Sequence, residues 1–260
     1  MLLTSARVKF GRAQRHRNEL MTAALDWLQV FEQLPVPIEK RTEPWQDGEV
    51  VTYSVAKAQH VPPLEIAGIL GDALNDYRAA LDHLAWQLVS AAGPPRKAGQ
   101  IYFPVAKTST QFEEDESRMV PGVSSLVSSM IRRHQPFQNG SQAEDHPLFV
   151  LHEWNRLDKH RSLHLMAAFP AEIRATVPGT YPNFRVMHQE RRETIDVFMP
   201  GTDLIRIYGK RIDPREDTGV SVLFRGRITL GHESGRGIER AINLIDGAVD
   251  GVLTEFERLP

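Results

Sequence analysis

Residues 64–92 read LEIAGILGDALNDYRAALDHLAWQLVSAA, with Pro62-Pro63 before them and Gly93-Pro94-Pro95 after. Within this stretch Leu70, Leu74, Tyr77, Leu81, Leu84 and Leu88 recur in steps of four and three, the spacing of a helix packed lengthwise against other helices. Proline at the start and Gly-Pro-Pro at the end suit the boundaries of such a helix. The stretch predicts a long buried helix over 63–92 and, around it, a helical core.

Three more segments extend that core. Over 4–33, Val8, Leu20, Ala24, Leu28 and Phe31 keep helical steps with Arg7, Lys9, Arg12, Arg15 and Arg17 between them. Over 146–169, Pro147 sits in the first turn and Pro170 just past the end. Over 236–258, Ile238, Ile242, Ile245, Val249, Val252, Leu253 and Phe256 repeat the pattern. Short helices are expected near Thr110–Arg118 and Val123–His134. A hairpin over 38–56 is expected to turn around Gln46-Asp47-Gly48. From 172 to 230 the runs Glu172–Val177, Phe184–Met187, Thr194–Phe198, Leu204–Tyr208 and Val220–Ile228, divided by Pro, Gly and Asp turn signals, predict a small antiparallel sheet. The fold class is therefore α+β: a long-helix bundle with a β-hairpin and a C-terminal sheet, read as one domain over 1–260.

Composition removes several functions. The chain has 260 residues, 41% hydrophobic and 25% charged, which fits a globular protein and not a disordered or fibrous one. A net charge of −2 forces no nucleic-acid partner, so any such contact must come from local patches. No cysteine means no disulfide, thiolate metal site or cysteine nucleophile, and it suits a reducing, cytoplasmic setting. The opening Met1-Leu2-Leu3-Thr4-Ser5-Ala6-Arg7 runs quickly into charge, so no signal peptide is expected. No run of eighteen apolar residues predicts a membrane span. Neither a Gly-x-x-x-x-Gly-Lys loop nor a Gly-x-Ser-x-Gly elbow occurs, which argues against P-loop hydrolases and serine hydrolases.

The chemistry lies in two polar blocks on helices. In the 146–169 segment, extending the stripe of Leu148 and Leu151 by helical steps lands on Asn155, Asp158 and Ser162 before Leu165 and Phe169. Polar groups on a core-facing stripe need partners. On the 63–92 helix, Arg78 and Asp82 share one ridge, with Asn75, Asp76, His83 and Trp86 on the adjoining face. The blocks are expected to meet, Arg78 with Asp158, Asp82 with Arg161 and His83 near His160, with Lys159 alongside and Trp86 covered by a helix or a second subunit. Such a cluster either moves protons and stabilises an anion, or only fixes helix packing; both readings stand.

Arg78-Ala79-Ala80-Leu81-Asp82-His83 resembles the Arg-x4-His arrangement of the HEPN superfamily, all-α domains that include metal-independent ribonucleases of toxin–antitoxin and phage-defence systems. The resemblance implies that Arg78 holds a phosphate and His83 activates a ribose 2′-OH or protonates the leaving oxygen. It also implies a homodimer, RNA as substrate, no cofactor or metal, and a possible antitoxin partner. The residue after the arginine, polar in many of these ribonucleases, is Ala79 here, and Asp82 could take its orienting role. The alternative is a non-catalytic interaction module with a structural polar cluster. Arg12 and Arg15, in the basic run with Lys9, His16 and Arg17, could follow an RNA backbone or form a solvated face; Arg132-Arg133-His134 carries the same two readings. His160 and His164, with His152 and Glu153 or Asp158, have a spacing that suits a metal, a weaker alternative.

Overall fold

The computed structural model describes residues 3–32, 38–55, 62–95, 97–160, 163, 165–168, 171–176, 185–189, 203–209, 219–224, 227–230 and 237–259. The fold is α+β with a helical core. Where the sequence reads as one domain, the chain divides into two compact units. One comprises Met1–Ala23, Pro63–His164 and Ile238–Pro260; the other comprises Ala24–Pro62 and Leu165–Gly237. Apart from the end of the first helix, the division follows the hydrophobic periods: segments with helical spacing bury their stripes on one another, and segments of strand character pair among themselves.

The helical unit is built on α1 (Thr4–Glu32, of which residues 4–23 belong here), α2 (Leu64–Ala92), α5 (Pro147–His160) and α6 (Ile238–Glu257), with the shorter α3 (Ser109–Met119) and α4 (Ser125–Arg133). The α2 seam behaves as its spacing requires, since Leu70, Leu74, Tyr77, Leu81, Leu84 and Leu88 are all buried. The α6 stripe is buried along its whole length, from Ile238 to Phe256. Thr108 and Ser124 cap α3 and α4, their side chains accepting the N–H groups of Gln111 and Val127. Between α2 and α3 the segment 101–106 runs without regular structure, yet Ile101, Phe103, Val105 and Ala106 are buried.

Polar clamps join the helices. Tyr77 Oη donates to Asp246 Oδ1 at 2.7 Å, and Arg17 reaches Asp246 Oδ2 at 2.7 Å. Burial first, and then the Asp246 carboxylate, push the Tyr77 phenol well above its usual range, so it remains a donor. Arg7 bonds Asp250 and Glu257 on α6. Those pairs are partly exposed and add little to stability.

The third long helix ends earlier than its sequence suggests. Helical spacing predicts 146–169, but α5 stops at His160 and Leu165–Ala168 is a strand, β3. A short apolar run such as Leu165-Met166-Ala167-Ala168 satisfies either period, so its pairing decides: it lies antiparallel on Arg227–Leu230 (β8), with buried Leu165 opposite buried Leu230.

In the other unit β1 (Ile38–Trp45) and β2 (Gly48–Val55) form the expected hairpin. Its two-residue turn holds Gln46 at φ 52, and Gly48 is required because a β-carbon there would stand 2.6 Å from the Gly209 carbonyl oxygen. The hairpin does not stand alone: β2 continues into a sheet of order β1-β2-β6-β5 with Asp203–Gly209 (β6) and Arg185–Gln189 (β5). Ala171–Thr176 (β4) pairs with Gly219–Phe224 (β7). The expected run Val220–Ile228 is thus two strands, and the single sheet expected over 172–230 is three separate pairings. The run at Thr194–Phe198 lies outside the described residues.

Candidate functional site

The α2 and α5 helices pack against each other and run antiparallel: Gly71 of α2 lies against Asp158, while Arg78 and Asp82, two to three turns on, act on His152. The polar blocks therefore do meet, but in a different register from the expected one. Asp158 sits opposite the turn seven residues before Arg78, a displacement of about 10 Å along the helix axis. The expected Arg78–Asp158 pair does not form. Arg161 and the side chain of His160 lie outside the described residues, which leaves the Asp82–Arg161 and His83–His160 pairings there too.

Arg78 has other partners. Its Nε donates to Asp82 Oδ2 at 3.2 Å, its Nη2 approaches Asp82 Oδ1 at 2.8 Å and donates to the Phe103 carbonyl at 2.7 Å, and the Phe103 N–H donates to Asp82 Oδ1 at 3.0 Å. The two side chains thus satisfy both backbone groups of Phe103, as a neighbouring strand would. Gln135 repeats the device nearby, donating to the Pro104 carbonyl and accepting the Ala106 N–H, each at 3.0 Å. A buried segment without a sheet partner has its polar backbone answered by side chains. Arg78 retains one buried donor, Nη1, with no hydrogen-bond partner.

His83 is half-buried and makes no hydrogen bond or ion pair among the described residues. Residues five apart on a helix point about 140° apart, so Arg78 on the seam and His83 beside Trp86 face different ways. Trp86, expected to be covered, is 42% exposed in the single chain. The histidine that does approach Arg78 is His152 on α5. Burial, and then the charge of Arg78, lower its pKa, so its imidazole is neutral at neutral pH. Glu153 lies beside it and is held by Arg156 at 2.7 Å. Asn155 is buried as its stripe predicts, whereas Lys159 is exposed.

The basic run of α1 is organised by a carboxylate that the sequence places only on a neighbouring face. Asp76, its side chain 4% exposed, receives Lys9 Nζ at 3.1 Å, Arg12 Nε at 3.3 Å and His16 Nε2 at 3.6 Å. Arg12 remains 50% exposed and Arg15 is exposed. The second basic run is likewise engaged: Arg133 and His134 hold Glu255, and Arg132 lies over the rings of Phe112 and Phe137. His164 is outside the described residues, and among those described no three His, Cys, Asp or Glu side chains gather as a metal-binding group. A cleft of about 410 Å³ lies at the end of α2 between Val89, Ala92, Pro94, Pro95 and Pro121, without an ionisable lining residue.

His146 caps α5, its Nδ1 accepting the Leu148 N–H at 3.2 Å. Burial, then the nearby His134, lower its pKa. On Glu255, burial is outweighed by the hydrogen bonds from Arg133 and His134, and its pKa is lowered as well. Both shifts give stability that is present at neutral pH and lost on acidification, from below about 6.5 for the histidine and below about 4.5 for the glutamate. Thermal unfolding between pH 7 and 5 is expected to show a falling midpoint. His146→Asn, which keeps a capping acceptor but cannot titrate, makes that fall shallower.

Compared with known protein families, curated proteins and solved structures, the chain matches none of them. The HEPN resemblance rests on the Arg78–His83 spacing alone. No helix among the described residues is long and apolar enough to cross a membrane.

Proposed function

We propose that the helical unit is a cytoplasmic RNA-binding module that reads phosphate through α1 and does not cleave it. The observation that carries this reading is the convergence of Lys9, Arg12 and His16 on one buried carboxylate, Asp76. A single negative charge fixes two permanent cations and an imidazole on one helix face. With exposed Arg15 beside them, and Glu19, paired to His16, as the one carboxylate among residues 4–23 of α1, this stretch of the helix keeps a positive surplus. A half-exposed guanidinium suits a phosphate oxygen pair, and Asp76 holds it in place in advance.

The test is fluorescence anisotropy with labelled single-stranded RNA across a salt series. Arg12→Ala and Arg15→Ala are expected to weaken binding to all sequences alike and to reduce the slope of log affinity against log salt by about one each. RNA that fails to bind at low salt, or binds both variants as it binds the parent, overturns the reading.

One observation favours cleavage as a second reading: the unpartnered Nη1 of Arg78 next to neutral His152. A metal-independent HEPN-like ribonuclease of the toxin or phage-defence kind would use that pair, closed by a second copy over the Trp86 face and restrained by an antitoxin. RNA cut in chelator by the parent, and not by His152→Ala or His83→Ala, decides for it.

A further inference from the structure

The end of the α2–α5 seam away from Arg78 holds two carboxylates and a buried amide oxygen with no hydrogen-bond partner among the described residues. Gly71 has no side chain, so Asp158 comes down onto the α2 backbone: a β-carbon at Gly71 would lie 2.6 Å from Asp158 Oδ1 and 2.7 Å from Oδ2. Asp72, exposed and next along α2, is close enough for its charge to act on Asp158. Asn155, one turn back on the same ridge of α5, is 5% exposed, and its Oδ1 is buried without a hydrogen-bond partner. Neither aspartate makes a hydrogen bond or ion pair among the described residues. Among the described residues, the cation acting on Asp158 is its exposed neighbour Lys159.

Two carboxylates and an amide oxygen are acceptors only, and unpaired acceptors in a half-buried crevice call for a positive charge. We propose that Asp72, Asn155 and Asp158 form a binding site for a hard divalent cation of the Mg²⁺ or Mn²⁺ type, with water completing the ion's shell. One or two carboxylates with several retained waters is the usual way proteins hold Mg²⁺, so a third carboxylate or imidazole is not required. The ion joins α2 to α5 across the seam and is independent of RNA binding at α1.

The experiment uses the full chain freed of metal with chelator, then titrated with Mn²⁺ and followed by the electron paramagnetic resonance signal of the free ion. One Mn²⁺ per chain is expected, displaced by Mg²⁺, together with a higher thermal midpoint. Asp158→Asn and Asp72→Asn are each expected to weaken uptake by at least about tenfold. In chelator, Asp158→Asn is expected to be no less stable than the parent, because the like-charge contact is gone. No uptake at millimolar Mn²⁺, or uptake unchanged in both variants, overturns the proposal. Since Asp72 is exposed, its variant decides should the other fail to fold.

Discussion

Arg78→Ala is expected to destabilise the protein by about 3–5 kcal/mol, read from urea unfolding, because it leaves the Asp82 carboxylate without its counter-charge and the Phe103 carbonyl without its Arg78 donor in the interior. The pair it breaks is largely enclosed, with side-chain exposures of 10% for Arg78 and 22% for Asp82. Asp82→Ala strands the guanidinium in the same way and removes the acceptor of the Phe103 N–H. Replacing both with leucine costs less than the sum of the single changes, since no charge then remains unpaired. A catalytic role alone predicts the opposite pattern, lost activity at unchanged stability. If Arg78→Ala unfolds at the urea midpoint of the parent, its bonds to Asp82 and Phe103 do not hold the fold.

Gly71→Ala gives the second large effect, and its sign depends on a neighbour. In the parent, a new methyl would meet both oxygens and the Cγ of Asp158 between 2.6 and 2.8 Å, so the carboxylate or the helix must move. Overpacking of this kind costs about 1–3 kcal/mol, against a gain of about 1 kcal/mol from replacing glycine inside a helix. A net loss is expected. In an Asp158→Ala background the obstacle is gone and only the helix-propensity gain is left, so the same change becomes stabilising. The four thermal midpoints of this cycle measure the coupling directly, and additivity among them would show that α5 does not rest on Gly71.

Much of the helical architecture is legible in the sequence because it is written in a repeated period. The α2 seam leucines Leu70, Leu74, Leu81, Leu84 and Leu88, the α6 isoleucines and the position of Asn155 on α5 all follow from helical steps, and every one of them is buried. The end of α5 is not legible, since Leu165–Ala168 is too short for its period to separate helix from strand. The α2–α5 register is not legible either. An antiparallel pair of helices can slide by a turn without altering either stripe, so the register shows only in the fold, where Asp158 lies against Gly71. The angular separation of Arg78 and His83, by contrast, follows from their five-residue spacing alone. Spacing from His160 makes His152 a candidate metal ligand, whereas its neighbour in space is Arg78. The basic α1 run reads either as an RNA-following or as a solvated face because Asp76 is distant in sequence; only folding brings the two together as one cluster.

Residues 101–106 form a ribbon whose sheet neighbours have been replaced by three side chains, Arg78, Asp82 and Gln135. A strand edge offers main-chain groups that nearly every amino acid possesses, so it tolerates substitution; this ribbon has no such insurance. Its place in the molecule is genetically fragile: one codon change at any of the three positions erases a neighbour that a real strand would keep through almost any point mutation.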